Sequence, residues 1–130
     1  MDRFRFGLGV LVALAAACSD GITNVTVCSR VRVSVTSGTT PTFRWSPNCP
    51  IEALIVALPG PGAVVWTTFS SNLTNTIASP VTYGVFPPGS AMTTNLQQFL
   101  IAGTTYEVSL IRVDSAGGPP HAIGTAAFVP

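Results

Sequence analysis

The stretch from Leu100 to Val113 restricts this chain's folding more than any other. A turn, Leu100-Ile101-Ala102-Gly103-Thr104-Thr105, runs into Tyr106-Glu107-Val108-Ser109-Leu110-Ile111-Arg112-Val113. Tyr106, Val108 and Leu110 fall on one face and Glu107 and Ser109 on the other, the two-residue period of a strand buried on one side. Such a strand needs a sheet around it and a second layer over its apolar face.

The same alternation recurs elsewhere. In Arg30-Val31-Arg32-Val33-Ser34-Val35 the valines point one way and the polar residues the other. After the turn Thr36-Ser37-Gly38-Thr39-Thr40, the segment Pro41-Thr42-Phe43-Arg44-Trp45-Ser46-Pro47 alternates again with Phe43 and Trp45 inward. Its prolines stand at the strand ends, where a missing N–H costs least. Ile51 to Leu58 is a nearly continuous apolar run, which predicts a central strand covered on both faces. Pro59-Gly60-Pro61-Gly62 ends it, and Ala63 to Phe69 reads as the next strand.

From Ser70 to Ser90 the pattern weakens. Ser70-Ser71-Asn72 is a turn, Thr76 to Tyr83 holds a short edge strand interrupted by Pro80, and Pro87-Pro88-Gly89 is a loop. Met92 to Leu100 fits both helical and strand spacing, and the strand that follows favours strand here too. Ser115 to Pro120 is a Gly/Pro turn before a last strand, Ala122 to Val129. About seven short strands separated by frequent turns predict one all-β domain, an antiparallel two-sheet sandwich.

Composition sets the compartment and excludes one class of partner. The 130 residues, 47% of them hydrophobic, suffice for one core. There is no lysine, and a formal net charge of +1 argues against nucleic acid, which needs a dense basic footprint. Residues 1–17 read as a targeting segment: Met1-Asp2-Arg3-Phe4-Arg5 is a short positive start, and Phe6 to Ala17 an apolar run too short to span a bilayer. Leu14-Ala15-Ala16-Ala17-Cys18 resembles the lipobox of bacterial lipoproteins, with Ala15 where that family most often has Leu. The resemblance implies that Cys18 carries the lipid and begins the mature chain. Ala15-Ala16-Ala17 also reads as an ordinary small-x-small cleavage site, which leaves secretion without a lipid open. The expected location is the bacterial cell envelope, with residues 18–24 as a short tether and 25–130 as the domain.

Without residues 1–17 the chain keeps Arg30, Arg32, Arg44 and Arg112 against Asp20, Glu52, Glu107 and Asp114, so it is close to neutral. Cys28 and Cys49 then remain as a pair in an oxidising compartment. They are nearly equidistant from the Gly38 turn, and a hairpin folded there brings them almost opposite each other. A disulfide is expected, the alternative being two buried thiols.

The C-terminal half resembles a fibronectin type III domain. That family carries Leu-x-Pro-Gly-Thr-x-Tyr between its fifth and sixth strands, and Leu100-Ile101-Ala102-Gly103-Thr104-Thr105-Tyr106 departs from it only at Ala102. The family's second strand has a core Trp followed by Pro, as in Phe43-Arg44-Trp45-Ser46-Pro47. The resemblance covers about residues 25–130, but residues 70–98 are longer than its pattern and the two cysteines are not part of it. It implies that Tyr106 buries its ring and hydrogen-bonds to the backbone near Leu100 to Gly103, and that Trp45 fills the gap between the sheets.

No enzyme constellation emerges. His121 is the sole histidine, and a Ser-His-Asp arrangement has to use it with Asp114 and an unmarked serine. Its Gly-Pro-Pro-His setting reads instead as a solvated loop. Neither a metal-ligand pattern nor a cofactor motif is present, so no catalytic residue, metal or cofactor is expected. Two surface features remain. Arg30, Arg32 and Arg44 emerge together on the outer face of one sheet, a docking face for anionic groups such as lipid phosphates, while Glu52, Glu107 and Asp114 belong to the other sheet. Trp66, Phe69, Tyr83 and Phe86 lie in or near the least family-like region, where exposed aromatics stack on sugar rings or fill a partner's pocket. The expected function is a lipid-anchored, non-enzymatic interaction or structural module that meets an envelope protein or self-associates. The alternative is a carbohydrate-binding module using Trp66, Phe69 and Tyr83.

Overall fold

A computed structural model of the chain describes residues 28–95, 97–115 and 118–130. The leader, Cys18 and the tether lie outside the described residues. Eight strands follow in order: β1 (Arg32–Val35), β2 (Thr42–Ser46), β3 (Ala53–Ala57), β4 (Val64–Ser70), β5 (Val81–Thr82), β6 (Ser90–Asn95), β7 (Tyr106–Arg112) and β8 (His121–Phe128). They form two antiparallel sheets, a three-stranded β1-β2-β5 and a five-stranded β6-β4-β3-β7-β8. The all-β two-sheet sandwich is therefore the architecture, with one strand more than the pattern suggested.

The alternation decides which side chains meet between the layers. Phe43, Trp45 and Val81 of the smaller sheet join Leu54, Val56, Trp66, Tyr106, Val108 and Leu110 of the larger in one buried cluster. Each fully buried Val, Leu or Phe in it stabilises the fold by roughly 1.5–3 kcal/mol before entropy is counted. Trp45 is 5% exposed and its indole N–H donates to the Cys49 carbonyl at 2.7 Å. Tyr106 is buried against Phe128, ring centroids 6.0 Å apart, and the Ile101 amide donates to its hydroxyl at 3.0 Å.

Two expectations need correction. The apolar run in β3 reflects a central place between β4 and β7, not cover on both faces: Leu54 and Val56 enter the core, whereas Ala53, Ile55 and Ala57 alternate onto the reverse face, where Ile55 and Ala57 are half-buried. The Met92–Leu100 segment is strand only in its first part, because β6 spans Ser90–Asn95 and residues 97–100 leave the sheet. The weak 76–83 region gives Ile77, bridged to Ile51, and then β5, only two residues long and paired with β2 at the sheet edge.

Cys28 and Cys49 are disulfide-bonded, with Cα atoms 5.8 Å apart. Closing a loop of 21 residues is worth roughly 3 kcal/mol through the unfolded chain's lost freedom. Beside this bridge β1 meets β8, where the Val31 amide donates to the Ile123 carbonyl at 2.8 Å. The β7–β8 register shifts between Leu110 and Ile111, skipping Ile123, whose side chain is buried. Gly124 follows, and a Cβ there would sit 2.7 Å from Val31 Cγ2 and 3.0 Å from the Val31 carbonyl oxygen. Only a residue without Cβ lets the first and last strands come this close. Gly124→Ala is expected to destabilise the fold by about 1–3 kcal/mol, seen as a lower urea midpoint with an unchanged slope. A midpoint equal to the parent's would show that the seam has room to spare.

Candidate functional site

Hydrogen bonds sort the connecting segments into two ends. At one, Cys28 is joined to Cys49, the Glu52 amide donates to Ile111, Ser70 donates to Glu52, and Asn75 receives the Val113 amide. The chain enters the domain here. At the other, the Leu100 amide donates to Thr39, the Tyr83 amide to Pro41 and the Gly103 amide to Pro130. The turn after β3 lies at this second end too, since Ala57 pairs with Glu107 at the start of β7.

This second end holds a groove of about 380 Å³ lined by Thr40, Thr82, Tyr83, Gly84, Val85, Gln98 and Phe99. Its two sides arise differently. After β5 the chain turns at Gly84, whose φ of +78° suits glycine, and the Val85 amide closes the turn on the Thr82 carbonyl. The turn leaves Val85 and Phe86 exposed. On the facing side, Leu100 is buried, Gln97 Nε2 donates to the Phe99 backbone carbonyl at 2.8 Å, and the Phe99 side chain is 58% exposed.

Gln97 ties these loops to the core. Its carbonyl accepts the Tyr83 hydroxyl at 2.5 Å, and its amide nitrogen also donates to the Tyr106 hydroxyl at 3.0 Å. Both phenols are buried, so neither polar tip is left unpaired. The loop that carries Phe99 is thereby held by two core residues. Burial pushes the Tyr83 phenol up to about 12, and the neighbouring Tyr106 adds to the shift.

The aromatic set expected to bind sugar does not assemble. Trp66 and Tyr83 are fully buried and packed on each other, centroids 5.3 Å apart; Trp66 stands opposite the core residue Val56 and so shares its inward face. Phe69 is half-buried beside Ala53, on the face of the larger sheet turned away from the smaller one. Of the four aromatics named from the sequence, Phe86 alone is exposed. Phe99 and Val85 were passed over; the signal available was the turn grammar around each, Gly84 with Pro87-Pro88 on one side and Gly103 on the other.

Arg30, Arg32 and Arg44 are exposed, with Arg32 opposite Ser46 and Arg44 opposite Ser34. Arg112 lies elsewhere and donates to the Pro50 carbonyl. His121 begins β8 instead of lying in a loop, 3.7 Å from Asp114, with side chains 40% and 77% exposed. Proton transfer gains little from so open a pair. Among the described residues no group of three or more His, Cys, Asp or Glu is placed to hold a metal ion.

Fold and groove together define an all-β, two-sheet sandwich with an apolar cleft between the loops at one end. Comparison of the chain with family models, with curated proteins and with solved structures finds no match.

Two predictions follow from the buried rings. The Trp66 indole N–H is buried without a hydrogen-bond partner, whereas that of Trp45 is satisfied. Trp45→Phe strands the Cys49 carbonyl, while Trp66→Phe removes an unpaired donor, so Trp45→Phe is expected to cost about 1–2 kcal/mol more in guanidinium unfolding. Equal costs would contradict this assignment. For Tyr83, an unfolded tyrosine loses its proton near 10, below the folded value of about 12. The stability held by the neutral phenol is complete below pH ~10 and falls as pH rises through the folded value. Tyr83→Phe should flatten the alkaline limb of a stability–pH curve.

Proposed function

We propose that this chain is a non-enzymatic display module of the bacterial envelope. It is a fibronectin type III-like sandwich held at its entry end by a lipid on Cys18, and it offers the Val85–Phe99 groove at the far end to a protein partner. The observation that carries this reading is the pair of exposed apolar side chains across a groove at the end remote from Cys28. A groove of this size with an apolar lip and a few polar groups, here Thr40, Thr82 and Gln98, suits one or two inserted side chains of a partner. Loops at one end of a sandwich are a common place for such contacts, because the rigid sheets position them. The fibronectin-like reading draws on the Tyr106 hydroxyl meeting the Ile101 amide and on Trp45 between the layers.

The test expresses the chain with its own leader in a bacterial host and follows its fractionation. The parent is expected in the membrane fraction, labelled by an alkyne-bearing fatty acid, and Cys18→Ser in the soluble envelope fraction without label. A photo-crosslinking amino acid at Phe99 is expected to trap a discrete partner that the same residue at Thr125 does not. An unlabelled, soluble parent would sink the anchor, and equal trapping at both positions would sink the groove.

A further inference from the structure

We infer that the outer face of the three-stranded sheet, carrying Arg30, Arg32 and Arg44, lies against anionic lipid headgroups and holds the anchored domain flat on the bilayer. This rests on the reading of Cys18 as the lipid site. Three of the four arginines beyond the leader are on or beside this one face, and all three are exposed. The register sets Arg32 opposite Ser46 and Arg44 opposite Ser34, so the two arginines are diagonal neighbours with Cα atoms roughly 7–8 Å apart. Arg30 stands two residues before Arg32, and Arg30, Val31, Arg32 and Ser46 line an open groove of about 530 Å³.

Among the described residues nothing acidic answers this charge. Among the described residues none of the three has an ion pair, and the outward residues of these strands, Ser34, Thr42, Ser46 and Thr82, are neutral. Glu52 is buried, Glu107 is on β7, and Asp114 pairs with His121. Like charges on neighbouring strands repel one another, a penalty that an anionic surface removes. Guanidinium groups suit it, since each holds a phosphate by two parallel hydrogen bonds and is more weakly hydrated than an ammonium.

Reach agrees with charge. The ten residues from Cys18 to Cys28 span at most about 33–36 Å, and Arg30 stands two residues past Cys28. A lipid at Cys18 therefore keeps the basic face at high local concentration near the headgroups. Each arginine near an anionic leaflet is worth about a fivefold shift, and three together on the order of a hundredfold. The Val85–Phe99 groove stays open to a partner, because it lies at the end of the sandwich and not on this face.

The test uses the lipidated full chain reconstituted in vesicles of phosphatidylcholine alone or enriched in phosphatidylglycerol. A fluorescent amino acid is placed at Ser34, on the basic face, or at Thr125, on the other sheet, and is read by lipids that carry a quencher in the headgroup. Quenching of the Ser34 probe is expected in the phosphatidylglycerol vesicles, with little at Thr125. It should fall at least tenfold in high salt and in Arg30→Gln/Arg32→Gln/Arg44→Gln, and survive the matching Arg→Lys triple, which keeps charge and folding. Equal quenching at both probes, or a Ser34 signal indifferent to lipid charge or to the Gln triple, overturns the proposal. So does retention by a soluble anionic polysaccharide with no response to vesicles. Failure of the anchor is a separate result, since the chain then floats with neither vesicle.

Discussion

The Tyr106 hydroxyl is where the interior and the loops of this protein are joined. Its ring belongs to the core, against Phe128, and its oxygen accepts from the Ile101 amide and from Gln97. Gln97 in turn accepts the hydroxyl of Tyr83, whose ring packs on Trp66. A phenol performs this task because it is apolar along its length and polar at its tip, so it can be buried and still bond a loop. The conformation of residues 97–101 is therefore set by the same packing that stabilises the sheets. Phe99 is exposed on a braced loop, and a braced apolar side chain loses little entropy when a partner covers it.

With so few charges, their placement matters more than their number. The layers divide the outer surface into two unlike faces. Over the smaller sheet the outward residues are arginine, serine and threonine; over the larger, Ala53, Ile55, Phe69 and Ile111 stand among Ser109, Thr125 and Glu107. Glu107, the exception, pairs with Ala57 and Ala127 and so faces no cation across the sheet. A chain near overall neutrality thus has a directional field, which bears on how the domain turns toward a charged surface and not on its fold.

What was legible in the sequence was whatever a two-residue period encodes. The alternation in Arg30–Val35, Pro41–Pro47 and Tyr106–Leu110 located β1, β2 and β7 and told inward from outward residues, because each lies in a regular stretch of sheet up to the β7–β8 shift after Leu110. The pairing of Cys28 with Cys49 was legible too, since distance along a hairpin fixes it. Trp66 was misjudged because Val64-Val65-Trp66-Thr67-Thr68 has no two-residue alternation to tell its faces apart; its inward face comes only from its pairing opposite Val56. Phe99 was missed for a different reason. Leu96, Phe99 and Leu100 have similar hydropathy, and only the tertiary bonds of Gln97 and Leu100 separate the exposed ring from its buried neighbour.

Charge scarcity also bears on the sheet edges. Many sandwiches guard an edge strand with lysine, which blocks pairing with a second chain, and this sequence has none. Geometry takes its place. The β1 edge turns toward β8, with Val31 bonded to Ile123, and the absence of a Cβ at Gly124 makes that approach possible. On the opposite side β5 is cut to two residues, between Pro80 and the Gly84 turn. The larger sheet gains β6 over β4, so the strand that carries Trp66 is internal to its sheet. The free margin passes to Ser90–Asn95, a short segment with a register shift opposite Phe69/Ser70. An irregular, brief margin pairs poorly with a regular strand. The long stretch of residues 70–98 thus has a physical use: it supplies β6, which covers β4 at the margin of a sheet with few charges.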